Sequence, residues 1–442
     1  MAHSGPALAC ALVGAAVAAA PASAAAPAPR PGAPISSHAM VHTCCTPAAM
    51  KERIFAESKA MGARFIRVDV ELHAIFEDRE SPNWDALDEV LALSRRHRLP
   101  VLGILLSPPG WLSLDDAEEF GRLAGEVAAH AGDTIARWEI LNEPDGAWAF
   151  DGTPEQYAHM LRAAYDAIGQ RVPAAKVVMG GVMTPQDPAW VERVFATPGA
   201  DATRAFHIAN LHLRGRAVIV PRQLAAWRDL LARHGFTGPV WVTEHGYPGD
   251  RAYQSDPLFH GGEPAQAAYL TESVLALAEA GAGEVFVTLR DNLDGMFASE
   301  GVVALGHGPL YGARRKPAFA AVRRLVDRWG ELTAARAEQR SHEASMSRAL
   351  EQAAGADLNV RAQRALASRA RVRLARLRAR LRGARLPAAR ARLAPKVARA
   401  TVGLRQRREG VGWARASAFD YKVRAALHGE RAAELARFVA SG

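Results

Sequence analysis

The stretch "ARWEILNEPDG", residues 136–146, is a short apolar run that stops on Asn142-Glu143-Pro144. Trp138, Ile140 and Leu141 suit a buried strand, whereas Glu143 is a bare carboxylate with a proline behind it. Proline disfavours helical geometry in the residue before it, so Glu143 is expected extended where the strand stops. Working outward, seven further β-rich runs recur at 37–43, 63–70, 99–107, 175–183, 205–213, 238–244 and 282–289. Stretches such as "NWDALDEVLALSRRHR" (83–98) and "EPAQAAYLTESVLALAEA" (263–280) lie between them. Their apolar residues recur at three- and four-residue spacing, the period of an amphipathic helix. Eight strands alternating with helices over residues 38–329 predict an α/β protein built on a (β/α)8 barrel. A doubly wound sheet is the competing architecture, but no Gly-x-Gly-x-x-Gly follows the first strand and no phosphate-loop motif occurs.

The ends of the chain differ from this middle. Residues 1–24 hold an apolar run closed by Ala22-Ser23-Ala24, a small-residue cleavage pattern, which predicts an export signal. A retained anchor is the alternative; the signal reading makes the protein secreted or associated with the cell surface. Residues 25–37 read as a Pro/Ala linker. The net charge of +9 is uneven: residues 331–442 contain 25 Lys+Arg and 9 Asp+Glu, while residues 1–330 contain 30 and 37. The tail from 330 to 442 is rich in Arg, Ala and Leu, which predicts a basic helical extension. Leu374, Leu377 and Leu381 share one helical stripe, and Gly383, Pro387 and Pro395 are expected to divide the helix, with "AAELARFVA" a further piece. Such a tail is either a solvated appendage or a tether to an acidic polymer or anionic surface. Nucleic acid is disfavoured, because no aromatic residue interleaves the arginines between 361 and 410. Cys44 and Cys45 are adjacent, and neighbouring cysteines rarely bridge, so they are expected as small buried residues at a strand end.

In a barrel of this type, side chains at the C-terminal ends of the strands line the active site. Glu143 ends the fourth predicted strand, and Glu244, in "VWVTEHGYP", ends the seventh. Two opposed carboxylates are the usual equipment for cleaving a glycosidic bond. Glu139 lies on the same strand face, deeper, and is expected as a partnered interior group.

"WEILNEP" (138–144) and "WVTEHGYP" (241–248), with glutamates 101 residues apart, resemble the paired signature of clan A glycoside hydrolases. The resemblance spans residues 38–329 and is closest in pattern to family 39 and its exopolysaccharide-degrading relatives, partly through "KPAFAAVRRL" (316–325). It implies a retaining (β/α)8 enzyme without a cofactor or metal, in which Glu143 is the acid/base and Glu244 the nucleophile. It also implies that Arg67 supports the nucleophile, Asn142 contacts the sugar, and His212 lies beside the site. Trp111, Trp148 and Tyr247 are candidate sugar platforms, with packing the plain alternative. In two places the chain departs from the family: Arg214 replaces a tyrosine after the sixth strand, and "TLRDN" replaces an aromatic platform after the eighth. Arg214 and Arg290 would then favour a negatively charged substrate. The implied activity is hydrolysis of a polysaccharide or oligosaccharide, endo-acting in the exopolysaccharide group. An exo-acting β-xylosidase-like enzyme and a non-hydrolytic carbohydrate-binding barrel are the alternatives.

Overall fold

The computed structural model describes residues 32–183, 188–250, 261–291, 298–304 and 314–441. The expected export signal, most of the linker, and Asn292 of "TLRDN" lie outside the described residues. Strands β1 (Ile35–His42), β2 (Ile66–Glu71), β3 (Val101–Leu106) and β4 (Arg137–Asn142) are all parallel neighbours, in that order. β5 (Lys176–Gly181) follows β4, and β8 (Ala282–Thr288), β7 (Val240–His245) and β6 (Ala209–His212) continue from β1 on its other side. Parallel bridges Val178–Ile208 and Val182–Leu211 join β5 to β6 and close the barrel. All eight predicted strands are present. β1 starts at Ile35, so the last three residues of the expected linker are strand.

Helices α1 (Ala48–Met61), α2 (Leu72–Ile75), α3 (Asp85–His97), α4 (Ala117–Ala131) and α5 (Pro154–Arg171) follow the first four strands. α6 (Pro188–Ala196), α7 (Val220–Arg233), α8 (Gly262–Glu279) and α9 (Pro317–Asp327) complete the ring. The helices form where the sequence signals them. α3 has Asp85 and Asp88 in its first turn and Arg95, Arg96 and His97 in its last, which suits the helix dipole. α5 opens on a reciprocal Thr153–Gln156 capping box with Pro154 at the first helical position. Leu87, Val90 and Leu91 of α3 are among the residues that bury the helix ring against the outer barrel face.

The tail is a long antiparallel hairpin of α10 (Trp329–Gly383) and α11 (Pro387–Ala440). Glu338–Arg431 (2.9 Å) and Asp357–Lys422 (2.8 Å) pair across it. Ala349 and Ala353 of α10, and Ala414, Ala418 and Ala425 of α11, are buried, small enough for the helices to approach closely. At its root Leu332, Ala335, Leu435 and Val439 join the barrel core, and Arg336 and Arg340 pair with Glu272 and Glu279 of α8. Only the break between Gly383 and Pro387 matches expectation. Pro395 lies inside α11 and does not divide it, and "AAELARFVA" is continuous with the same helix. The Pro395 ring faces solvent, so it costs that helix a hydrogen bond without a clash against α10.

The cysteines also depart from expectation. Cys44 and Cys45 are joined by a disulfide just after β1, and Cys45 is exposed, so they are neither free nor buried. The loop there turns sharply enough to bring adjacent thiols together.

Candidate active site

Inside the barrel, Phe65, Leu102, Val178, Ile208, Trp241 and Phe286 plug the base. The next layer is polar and is organised by Arg67, which is 1% exposed. Its guanidinium donates to both oxygens of Glu139 (2.9 and 2.7 Å), to Glu244 Oε1 (2.7 Å) and to Asn142 Oδ1 (2.7 Å). Burial opposes its charge, but Glu139 and Glu244 more than offset that and keep it protonated. Glu139 is therefore the partnered interior group expected from the strand pattern.

Strict alternation along β7 would put Glu244 on the face of Val240 and Val242, which belong to the core between barrel and helices. A register irregularity between Val242 and His245 turns it into the barrel instead. There Glu244 accepts from Arg67 on Oε1 and from Arg214 Nη2 on Oε2 at 2.9 Å. Burial would raise its pKa, but His212, His38, Arg67 and Arg214 together hold it well below 4.5. Burial pushes the His38 imidazole down to about 3, so His38 is neutral at ordinary pH and adds little to the effect there. Arg214 is itself held by Glu300, with Nε–Oε1 at 2.8 Å and Nη2–Oε2 at 3.1 Å. The missing tyrosine is thus replaced by a buried Arg214–Glu300 pair that reaches the same carboxylate.

β4 ends differently from the expectation. Leu141 and Glu143 have φ of 62° and 42°, so Glu143 is left-handed rather than extended, even with Pro144 behind it. A left-handed residue with a side chain costs about 1–3 kcal/mol and persists only where its surroundings impose it. Here the two reversals let consecutive residues, Asn142 and Glu143, both face the cavity. Glu143 Oε1 lies 2.8 Å from His212 Nδ1, and Trp148 Nε1 donates to Oε2 at 3.3 Å.

The protons in this network can be traced. The Thr243 N–H can only donate, so Asn210 presents Oδ1 to it (3.3 Å). The Thr243 hydroxyl donates to the same oxygen (2.9 Å), leaving its lone pairs for His212 Nε2–H at 3.1 Å. With Nε2 protonated, the contact between Nδ1 and Glu143 requires one proton shared between those two atoms. Gly181 makes room for this ring: a Cβ there would lie 2.0 Å from His212 Nε2.

Glu143, Glu244 and His212 bring one ligand atom each within 4.8 Å of one another, on the wall of a cavity of about 830 Å3. Of the other predicted residues, Trp148 lines this cavity and is 72% exposed. Trp111 instead donates to the Phe76 carbonyl (2.8 Å) and has Arg79 over its ring, while buried Tyr247 packs at a tilt against Tyr269. Neither of them lines the cavity among the described residues. Arg214 and Arg290 do: Arg214 pairs with Glu244 and Glu300, and Arg290 donates to the Ala39 and Met40 carbonyls.

Sequence reasoning missed Glu300, His38, Asp69 and Thr243. Glu300 had one faint signal, Gly246 directly after "TEH", because a Cβ on Gly246 would lie 2.3 Å from the Glu300 side chain. His42, Asp69 and Glu71 form a second close set at the mouth that could hold a cation. Its atoms are engaged with each other and with Thr43, through His42 Nδ1–Glu71 Oε1 at 2.8 Å and Thr43 Oγ1–Glu71 Oε2 at 2.6 Å.

No protein-family profile and no curated protein sequence matches the chain. Solved structures do match. A family 39 glycoside hydrolase from the gut symbiont Bacteroides cellulosilyticus WH2 has a TM-score of 0.52 at 13% identity, over 67% of this chain and 63% of that one. The GH5_18 protein of Streptomyces cattleya in complex with GlcNAc has 0.51 at 18%, over 66% and 80%. A glucosidase from Croceicoccus marinus has 0.51 at 16%, over 67% and 68%. The chain therefore spans less than two thirds of the family 39 enzyme. At such identities the likeness is one of fold, and the (β/α)8 barrel expected from the strand pattern is the one found in these glycoside hydrolases.

Proposed function

We propose that this chain is a retaining glycoside hydrolase acting on an oligosaccharide or polysaccharide, with Glu143 as acid/base and Glu244 as nucleophile. The observation that carries the reading is the carboxylate pair on one cavity wall, with one oxygen of each within 4.8 Å of the other. That spacing supports double displacement, since retaining pairs lie about 5–5.5 Å apart and inverting pairs about 6.5–9.5 Å apart. Glu143 delivers the proton it shares with His212 to the leaving glycosidic oxygen. Glu244, kept anionic by Arg67 and Arg214, attacks the anomeric carbon and forms a glycosyl ester. Once esterified it no longer carries its charge, and Glu143, now deprotonated, takes a proton from the incoming water. That water attacks the same carbon, expels Glu244 and restores the starting protonation. Trp148, with its ring exposed at the mouth and its N–H on Glu143, supplies a platform beside the bond being broken. The exopolysaccharide-degrading resemblance favours cleavage within a polymer, in keeping with an exported enzyme.

A panel of polysaccharides and aryl β-glycosides tests this with wild type, Glu244→Ala and Glu143→Ala. Loss of activity in Glu244→Ala, with azide rescuing turnover as the glycosyl azide of inverted anomeric configuration, is the expected result. A wild-type product of inverted configuration would overturn the retaining mechanism. A silent wild type that still binds polymer would mean a carbohydrate-binding barrel.

A further inference from the structure

The hairpin segregates its charge along its length. Residues 358–408, which include the α10–α11 turn, contain 17 Lys+Arg and no Asp or Glu. Among the described residues, Arg405 alone of these seventeen has an ion-pair partner, Glu409. The same hairpin also exposes apolar surface. Val402, Trp413, Ala416, Phe419, Val423 and Leu427 fall within an arc of about 120° on α11, opposite Ala414, Ala418 and Ala425, which face α10. Trp413 is 77% and Phe419 71% exposed, and Leu386 at the turn is 70% exposed.

We propose that this arm docks on the surface of an anionic lipid bilayer, lying in the interface without spanning it. A second copy of the chain could cover the apolar stripe, but the two cationic arms would repel one another. A soluble polyanion would satisfy the arginines yet leave Leu386, Val402, Phe419 and Leu427 in water. An anionic bilayer answers both features: Trp, Phe, Leu and Val enter the boundary between headgroups and acyl chains, and the arginines meet the lipid phosphates. No helix of the described residues is long and apolar enough to cross a membrane. The root of the hairpin is fixed to α8 and the barrel core, so docking would hold the barrel beside the membrane.

The test uses full-length protein and sedimentation with vesicles of phosphatidylcholine alone or mixed with phosphatidylglycerol. Wild type is expected to sediment with the mixed vesicles and not with the zwitterionic ones, with tryptophan emission shifted to the blue. The combined Trp413→Ala, Phe419→Ala and Leu427→Ala variant should partition at least about tenfold less, the effect of losing three buried apolar side chains. All three side chains are exposed, so its helix content by circular dichroism should match wild type. Wild type that ignores anionic vesicles would overturn the proposal. So would a triple variant that binds as wild type while a soluble polyuronate competes fully, which would identify a polyanion site. A dimer in analytical ultracentrifugation that the triple variant abolishes would assign the stripe to a second copy instead.

Discussion

Replacing Arg214 by glutamine isolates what the unusual residue after β6 does. Its Nη2 donates to Glu244 Oε2 at 2.9 Å, on the opposite oxygen from Arg67. Two unit charges about 4 Å apart at an effective dielectric near 20 interact by about 4 kcal/mol, equivalent to roughly three pKa units. A single opposite charge in proteins shifts a carboxyl by about one to three units, and Arg67 remains in the variant, so the Glu244 pKa should rise by that amount. A nucleophile must be ionised, so the acid limb of kcat/KM should move up by about one to three pH units. Below the new limb, activity falls about ten- to a thousandfold; on the plateau the loss is smaller. Glu300, now buried without its partner, would add to the rise, so Arg214→Gln combined with Glu300→Gln should bring the limb part of the way back. The assay is the pH profile of kcat/KM on an activated aryl glycoside. A plateau that falls while the acid limb stays in place would refute the electrostatic role and leave Arg214 a scaffold residue.

Other consequences are equally direct. Gly181→Ala, whose Cβ would meet His212 Nε2 at 2.0 Å, should displace the imidazole and cut turnover at least about tenfold, with circular dichroism unchanged. At the barrel base, burial raises Glu284 to about 7, against the hydrogen bond from Ser36 and the charges of Arg64 and Arg137. The folded state therefore binds this proton more tightly than the unfolded chain, so the stability it contributes is complete below about pH 4.5 and lost by about pH 7 as pH rises. Glu284→Gln should remove that decline and stabilise the barrel by on the order of 2–3 kcal/mol at pH 8, but hardly at pH 4. Urea unfolding at both pH values checks it; an equal change at the two would be the wrong outcome. Leu332→Ala, at the buried root of the hairpin, should cost about 2–5 kcal/mol and lower Tm.

What the amino-acid sequence determined by itself was local in kind. Each of the eight strands announces itself through a few β-branched and aromatic residues, and the helices through three- and four-residue apolar spacing and caps such as Thr153–Gln156. That order is enough to name the barrel and to put Glu143 and Glu244 at the ends of β4 and β7. The aim of those carboxylates was beyond it. Alternation is a rule about one strand, and it points Glu244 outward; the irregularity that turns it inward arises from the register with β8. Leu141 and Glu143 take left-handed backbone because the closed barrel imposes it, against the local preference set by Pro144. Tertiary structure likewise decided that Arg214 would meet Glu300, 86 residues away, and that Tyr247 would pack at a tilt against Tyr269 instead of lining the cavity. Pro395 reads locally as a breaker, yet the length of helix laid against α10 carries α11 through it. Period and propensity act within a few residues, whereas the charge state and direction of a side chain depend on which distant strand the closed barrel sets beside it.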